Sequence, residues 1–509
     1  MSDFRTKKKS SVEEARVEHI ESYGETEAKT IVASHELTTD TSTDRKAEAQ
    51  LRWKIDLYVI PTVALLYALC FIDRVNIGNA RLAGFERELG LKGYDYNLVL
   101  SVFYIAYIIF EIPSNMACKW IGPGWFLPGI SVVFGILTIC FAFVRDLKTA
   151  CGIRFLLGVF ESGLLPGIAY YLSRWYPRNE LAFRLSLYIV MGPLSGAFSG
   201  LLASGILRLD HFGSTRGWQM IFSIEGIITV GCSLIAFFTL TDRPETARWL
   251  SQDEKDLALA RIKRERVAAT EVLDGFDRMK IIRGIANPVT LSTACILLLI
   301  NITVQGISFF TPTVVRTIYP LNTVISQQLY SVPPFIVGAV FTLFFCGIAW
   351  RFDRRNVVML VGAVITGIGY AMFLGSSSTA TSLRYGATFV GAAGSFAFGA
   401  LCNAQVSANV NSDTARSSAI GFNVMLGNIG GLIATWSYLP FDGPNYRIGN
   451  GLNLAAAGII VVIAVLLEIW MNRDNQRREL VDAEQVLSGH NLQEAQDLEW
   501  KHPEFRWRL

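Results

Sequence analysis

The sequence predicts an all-α polytopic membrane protein with twelve transmembrane helices arranged as two six-helix halves. Of the 509 residues, 51% are hydrophobic and only 17% are charged, whereas soluble globular proteins average about 25% charged residues. Apolar runs long enough to cross about 30 Å of hydrocarbon recur along the chain. One long polar segment, from Thr241 to Pro288, divides these runs into two sets of similar size.

Each predicted helix is an apolar run of roughly 20 residues, the length that crosses the hydrocarbon core. The first six runs are 57–78, 97–118, 125–144, 150–172, 185–207 and 219–240, and the second six are 289–313, 329–350, 357–376, 384–408, 418–439 and 452–471. The expected organisation is a tail over 1–53, a six-helix half over 54–241, a central loop over 242–288, a second six-helix half over 289–472 and a tail over 473–509.

The N-terminal tail and the distribution of Lys and Arg predict the orientation. The first 53 residues are rich in Glu, Ser and Thr and contain no apolar core of signal-peptide length, which predicts a disordered cytosolic tail. On the same side lie the basic loops 174–184 and 351–355 and all ten basic residues of the central loop. The positive-inside rule therefore places both termini in the cytosol. We expect the plasma membrane as the location and a monomer as the functional unit.

A helix is predicted within the central loop. Ser251 and Glu254 have the spacing of a capping box and precede the segment KDLALARIKRERV. The pattern predicts an amphipathic helix lying at the membrane surface. A solvated helix that only connects the two halves is the alternative.

Several classes of function are disfavoured. A net charge of +3 is too small for nucleic-acid binding to be expected. The eight cysteines are scattered singly, so neither a disulfide framework nor a metal site is predicted. No Walker A loop, kinase signature or GxSxG elbow occurs, which argues against ATP-driven transport and against an enzyme. No cofactor is expected.

Rare charges within the apolar runs indicate where the chemistry lies, because an ionisable group in hydrocarbon is costly and usually faces a cavity or a partner. These charges are Asp73, Arg74, Glu111, Arg154, Glu161, Glu225 and Glu468. For Glu225 and Glu468, ordinary pairing between helices is the simpler interpretation.

Helix 4 presents both signs of charge on one face. Arg154 and Glu161 are seven residues apart, about two helical turns, with Glu161 near the middle of the run. The arginine can hold a carboxylate through two hydrogen bonds, and the glutamate can take a proton and lose its pairing. The alternative is a static ion pair that locks helix 4.

Helix 1 contains adjacent charges at Asp73 and Arg74. Neighbouring residues on a helix point about 100° apart, so the two are not expected to line the same pathway. We expect Arg74 to meet a substrate and Asp73 to act as an orienting or protonatable partner. An arginine that reaches toward the outer surface is the alternative for Arg74.

Neutral polar groups occur on two helices of the second half. Asn301, Gln305 and Ser308 form a stripe on helix 7, which could bind a ligand or join helices. In helix 11, Asn428 lies among glycines and could face a cavity. By contrast, the repeat of Gly192, Gly196 and Gly200 in helix 5 predicts a surface for close helix packing.

Four segments resemble the anion:cation symporter family of the major facilitator superfamily. They are FIDRVNIGNARLAG at 71–84, YIIFEIPSN at 107–115, RFLLGVFESGLLPGIAYYLSRWYPRNELAFR at 154–184 and GWQMIFSIEG at 217–226. The C-terminal HPEFRWRL resembles the tail of the fungal allantoate permease and nicotinate permease branch. Residues 347–355 resemble the conserved loop of the superfamily, although Arg351 stands where that loop has Asp.

The resemblance implies the major facilitator fold and proton-coupled transport of small organic anions. It implies functional roles for the helix 1 arginine and the helix 4 glutamate, which fall on Arg74 and Glu161. The other family positions fall on Asp73, Arg154 and Asn428. We therefore expect substrate binding by Arg74, Arg154, Gln305 and Asn428 and proton coupling by Asp73 and Glu161. The alternatives are an exporter of an organic acid or secondary metabolite, and a nutrient sensor that does not transport.

Overall fold

The computed structural model describes residues 46–176, 184, 187–209, 211–268, 278–410, 413–480, 499–503 and 505–508. In these residues, eleven helices are long and apolar enough to cross a membrane. The twelfth, Asp413–Ala434, contains a shorter apolar stretch. The twelve helices are α1 Lys46–Leu82, α2 Asp95–Ile121, α3 Pro123–Phe141, α4 Leu147–Ser173, α5 Leu187–Ile206, α6 Trp218–Thr239, α7 Pro288–Ile318, α8 Val324–Phe352, α9 Arg355–Gly375, α10 Thr381–Ala408, α11 Asp413–Ala434 and α12 Arg447–Glu479. The predicted all-helical fold is confirmed.

Several helix ends differ from the ends of the apolar runs. Helix α1 begins at Lys46, within the predicted tail, and α12 continues to Glu479, beyond its apolar run. Hydropathy detects only the part of a helix that lies in lipid, and a helix can continue into water with polar side chains. Helix α11 ends at Ala434, and a 3₁₀ turn follows at Pro440–Asp442. We call the end of the bundle where α1 begins the proximal end, and the end where it finishes at Leu82 the distal end.

Helix α4 is interrupted in its middle. Its two regular segments are Leu147–Glu161 and Leu164–Ser173. Pro166 lacks the N–H that would bond to the carbonyl of Ser162, and its ring crowds that carbonyl, so the helix breaks just before it. The break places Glu161 at the last position of the first segment.

The two halves repeat the same packing. In the N-terminal half α2 packs on α4 and α3 packs on α6; in the C-terminal half α8 packs on α10 and α9 packs on α12. The contacts between halves include α5 with α8 and α2 with α11. Each of these two pairs becomes the other when both of its helices are replaced by their counterparts in the opposite half. The arrangement therefore follows a pseudo-twofold relation between the halves.

Glycines of α5 allow its close contact with α8. A Cβ at Gly196 would collide with the ring of Phe335, and one at Gly200 would lie 2.9 Å from a methyl group of Val332. Gly192 lies at ordinary contact distance from Phe71 of α1. The predicted packing role of this repeat is confirmed for Gly196 and Gly200.

In each half, a carboxylate at or just after the sixth helix of that half binds residues at the proximal end of the bundle. After α6, Asp242 pairs with Arg174 at 3.2 Å and accepts a hydrogen bond from the Gly124 N–H. In the second half, Glu468 of α12 pairs with Arg354 at 3.2 Å and accepts a hydrogen bond from Asn356. The interpretation of Glu468 as a helix-pairing residue is confirmed.

The predicted capping box in the central loop is present. Ser251 Oγ accepts from the Glu254 N–H at 3.3 Å, and the Ser251 N–H donates to Glu254 Oε2 at 2.8 Å, at the start of the helix Gln252–Ala268. Lys54 of α1 also donates to Glu254, at 2.7 Å, and this bond holds the pKa of Glu254 below its ordinary value. The helix is therefore anchored to the proximal end of α1.

Candidate functional site

A buried ion pair joins α1 to α4 at the centre of the N-terminal half. Arg74 Nε donates to Glu161 Oε2 at 2.9 Å, and the side chain of Glu161 is fully buried. The Cys70 thiol, one turn before Arg74, donates to the same oxygen at 3.1 Å. The other oxygen of Glu161 has no hydrogen-bond partner among the described residues. Glu161 is therefore held on one side only.

Aromatic rings of α2 cover the guanidinium of Arg74. Its Cζ lies 4.7 Å from the ring centre of Tyr107 and 5.4 Å from that of Phe103. These distances are within the range of a cation–π contact, which strengthens when water is excluded. Arg74 is therefore directed into the bundle, and the alternative of an arginine reaching toward the outer surface is wrong.

A second pair joins the same two helices. Arg154 Nη1 lies 3.8 Å from Asp73 Oδ2, and both side chains are 2% exposed. This distance is too long for a hydrogen bond, so the interaction is Coulombic. Asp73 Oδ1 accepts from the Thr138 hydroxyl at 3.0 Å, and the Arg154 guanidinium lies 4.7 Å from the ring centre of Phe141.

The interpretation of Arg154 and Glu161 as a static pair within α4 is wrong. Each binds a partner on α1, because two turns separate them by about 10 Å along the helix axis. The expected divergence of Asp73 and Arg74 is found, since the two side chains pair with different residues of α4.

The two arginines line a common internal cavity with Leu100, Phe103 and Phe309. Its volume is about 10 Å³, close to the smallest space that holds one water, about 10–15 Å³. Arg154 Nε and Nη2 are buried without hydrogen-bond partners in the described part of the chain. Because Phe309 belongs to α7, the cavity lies where the two halves meet.

Gln305 and Asn428, the neutral site residues predicted in the C-terminal half, differ in their surroundings. Asn428 donates to Glu111 Oε2 of α2 at 3.1 Å, a hydrogen bond between the two halves. Gln305 is 7% exposed, and its Oε1 has no partner within the described ranges. Neither amide has a hydrogen bond to Arg74 in this conformation; the described bonds of Arg74 go to Glu161 and Cys70.

The other two residues of the polar stripe on α7 have structural surroundings. The Ser308 hydroxyl bonds to the carbonyl of Val304 on its own helix, and Asn301 lies against Gly427 of α11. Of the three stripe residues, Gln305 alone keeps an unpartnered buried oxygen.

Glu111 and Cys70 belong to this region, although the sequence did not single them out as site residues. Glu111 was visible as a rare charge in an apolar run. Its partner Asn428 lies in the other half, and no sequence pattern links the two. Nothing in the sequence around Cys70 distinguishes it from a small packing residue.

Glu225 is part of a separate buried network. One oxygen is bonded to the amide of Asn76, and the amide of Asn79 donates to Asn76 Oδ1 at 3.0 Å. The Ser199 hydroxyl of α5 also donates to Asn76 Oδ1, at 2.6 Å. The network connects α1, α5 and α6, as expected for a residue that joins helices.

Polar contacts join the distal ends of the two halves. Asn97 Nδ2 donates to the carbonyl of Thr435 at 2.5 Å, and the hydroxyls of Ser101 and Thr435 are 2.9 Å apart. Gln328 Nε2 of α8 donates to the carbonyl of Asn79 of α1 at 3.4 Å. In this conformation α2 meets α11, and α8 meets α1, at the distal end.

A sequence profile described as the Major Facilitator Superfamily matches residues 63–435, more than half of the chain. The chain belongs to the major facilitator superfamily. It is a membrane transporter of that superfamily and not an enzyme.

Relatives of this major facilitator include several fungal transporters. An uncharacterized transporter of Schizosaccharomyces pombe is 30% identical over 471 residues, which cover 92% of this chain and 91% of that protein. A major facilitator-type transporter of Emericella nidulans is 28% identical, with 92% and 95% covered. The high-affinity nicotinic acid transporter of Saccharomyces cerevisiae is 28% identical, with 90% and 85% covered. The predicted place among fungal major facilitator permeases is confirmed.

A solved structure has the same fold. It is a bacterial homolog of the human lysosomal transporter Spinster, in an inward-facing and occupied conformation, with a TM-score of 0.61 and 14% sequence identity. The likeness covers 82% of this major facilitator and 96% of that chain. It supports the fold assignment alone.

Proposed function

We propose that this transporter carries a small organic anion, a carboxylate, together with a proton. The observation that carries the proposal is the Arg74–Glu161 ion pair beside the cavity between the halves. A guanidinium forms strong, geometrically matched hydrogen bonds with a carboxylate. Arg74 can therefore exchange the carboxylate of Glu161 for that of a solute.

Protonation of Glu161 is the step that makes this exchange possible. The pair carries no net charge; after exchange, the arginine and the solute carboxylate cancel, and the protonated glutamate is neutral. An uncompensated charge at such depth costs several kcal/mol. The solute and the proton are therefore bound together, and the gradient of one drives the other.

The second pair extends the site. Arg154 lines the same cavity as Arg74, and its unpartnered Nε and Nη2 are available to a second oxygen of the solute. Asp73 is held by the Thr138 hydroxyl and by the long contact with Arg154. Asp73 is a second proton-coupling group, because a solute on Arg154 would compete with it.

Neutral amides of the C-terminal half complete the proposed site. Gln305 offers an unpartnered buried oxygen, and Asn428 bonds to Glu111 across the interface. As the halves rock about the site, these amides orient the polar part of the solute that the arginines do not hold. We place the protein in the plasma membrane as a monomer with both termini cytosolic.

Uptake into proteoliposomes tests the function. Nicotinate is the first solute to test, because a relative is named as a nicotinic acid transporter; allantoate and other carboxylates follow, ranked by the rise in melting temperature that they cause. With the lumen alkaline, labelled solute is expected to accumulate above its external concentration and to leak out when a protonophore is added. Equilibration that is indifferent to the pH step would contradict proton coupling.

A further inference from the structure

The C-terminal segment of the chain occupies a structured site at the proximal end of the C-terminal half. Phe505 and Trp507 are 9% and 3% exposed. They pack against Val289 at the start of α7 and against Leu467 and Met471 of α12. The segment expected to be a simple cytosolic tail is therefore packed on the bundle over these residues.

Two asparagines bind the backbone of this segment, each through both the oxygen and the nitrogen of its side-chain amide. Asn475 of α12 accepts from the Trp507 N–H at 2.8 Å and donates to the Trp507 carbonyl at 2.9 Å. Asn409, just beyond α10, accepts from the Arg508 N–H at 2.8 Å and donates to the Arg508 carbonyl at 3.0 Å. Gln405 adds a third donor, 2.8 Å from the same carbonyl. Each asparagine thus supplies the pair of hydrogen bonds, to the N–H and the carbonyl of one residue, that a neighbouring antiparallel strand would supply to an extended peptide.

Side-chain contacts make the site selective for this segment. The indole Nε1 of Trp507 donates to Asp474 Oδ2 at 2.6 Å, and Arg478 Nε donates to the same oxygen at 2.6 Å. Arg478 also donates to the carbonyl of His502 at 3.0 Å. The apolar pocket and the Asp474 carboxylate that accepts from the indole therefore select a tryptophan at position 507.

We propose that this surface is a peptide-binding site and that residues 505–508 are its ligand in cis, whose occupancy controls transport. The bound segment ties together the proximal ends of α7, α10 and α12, and Asn409 lies beside the connection from α10 to α11. With the site empty, the C-terminal half is less rigid at its proximal end. This end moves when the two halves separate and close on that side of the membrane. Transport then becomes slower while substrate affinity is unchanged. This proposal does not depend on which solute the protein transports.

The test uses the full-length chain with a damaged ligand and an intact site. A Trp507→Ala variant is mixed with a labelled synthetic peptide of residues 499–509 in the natural sequence, on the proximal side of the membrane. We expect saturable binding to this variant, weaker binding to the unmodified chain, and at least a tenfold loss in Trp507→Ala/Asn475→Ala. The peptide is expected to restore the uptake rate of the single variant. Asn472→Ala is the matched control, since Asn472 bonds only to the Glu468 carbonyl of its own helix among the described contacts.

Each outcome decides the proposal. No peptide binding to the Trp507→Ala chain, or equal binding by the double variant, overturns the peptide site. Binding without a change in uptake rate overturns the control of transport. If Trp507→Ala does not fold, hydrogen exchange of the unmodified chain decides: slow exchange at the Trp507 and Arg508 amides that becomes fast in Asn409→Ala, with a slower uptake rate, supports the proposal. Fast exchange in the unmodified chain overturns it.

Discussion

Glu161 on α4 accepts a hydrogen bond from Arg74 on α1, whereas Arg154 on α4 pairs with Asp73 on α1. Two adjacent residues of α1 are thus bound to two residues of α4 that lie two turns apart. The pairs fasten the helices together and concentrate four charges in one small volume. If one side chain of a pair is neutralised, the charge of its partner is left uncompensated unless another ion binds to it.

Replacing Glu161 by Gln is expected to abolish accumulation driven by a pH step, because the amide cannot gain or lose the coupling proton. Exchange of labelled for unlabelled solute should persist, since Arg74 is then free to hold a carboxylate. Uptake and counterflow in proteoliposomes measure both. Glu468→Gln is the matched control, because this carboxylate pairs at the proximal end. Unimpaired gradient-driven accumulation by Glu161→Gln would show that coupling lies elsewhere.

Replacing Arg74 by Lys is expected to raise KM about 10- to 150-fold, because losing one hydrogen bond to a charged group costs roughly 1.5–3 kcal/mol. The ammonium keeps the charge but cannot offer two parallel donors. Concentration-dependent uptake measures the change. Arg384→Lys, at another buried arginine, which contacts Asn445 and the Pro444 carbonyl, should leave KM unchanged. A normal KM in Arg74→Lys would argue against two-pronged recognition.

Replacing Gly196 by Ala is expected to destabilise the bundle by about 1–3 kcal/mol, the usual cost of overpacking. The added methyl collides with Phe335 across the α5–α8 contact. At Gly205, also on α5, nothing lies within 4 Å of an added Cβ, so Gly205→Ala is the control. Thermal unfolding in detergent compares the two. Equal melting temperatures would show that α5 and α8 are not closely packed.

The Glu111–Asn428 hydrogen bond is expected to couple the two halves energetically. Glu111→Gln, Asn428→Ala and the double variant form a cycle whose interaction term should be about 0.5–3 kcal/mol. Ligand-binding affinity, measured by thermal shift over a range of ligand concentrations, provides the free energies. Strict additivity would mean that the contact contributes nothing to the conformations that bind solute.

The fold was predictable because a helix needs about 20 apolar residues to cross the bilayer and because a charged side chain is costly within it. The same cost brought Asp73, Arg74, Arg154 and Glu161 to notice, since each stands out in an apolar run. Their pairing was not predictable, because helical periodicity gives the face of a side chain and not its distance from a residue on another helix. The predicted central-loop helix was right at its start because a capping box is a local signal.

The docking of the C-terminal segment, in contrast, could not be predicted from the sequence. Asn409 and Asn475 lie in polar stretches, where asparagine is ordinary, and they bind main-chain atoms that every residue shares. Such a contact leaves almost no pattern in the sequence. The burial of Trp507 became visible only once α7, α10 and α12 were placed together.

In the proposed site, the charged groups that hold the solute come from α1 and α4, and the neutral amides come from α7 and α11. In this proposal the first half determines the charge of the transported solute, and the second half determines the shape of the solute that fits. New cargo specificities can arise by altering α7 and α11 while the coupling chemistry is inherited unchanged. A chimera that keeps residues 46–241 and takes its second half from a relative would keep the proton requirement and acquire the relative's preference among carboxylates.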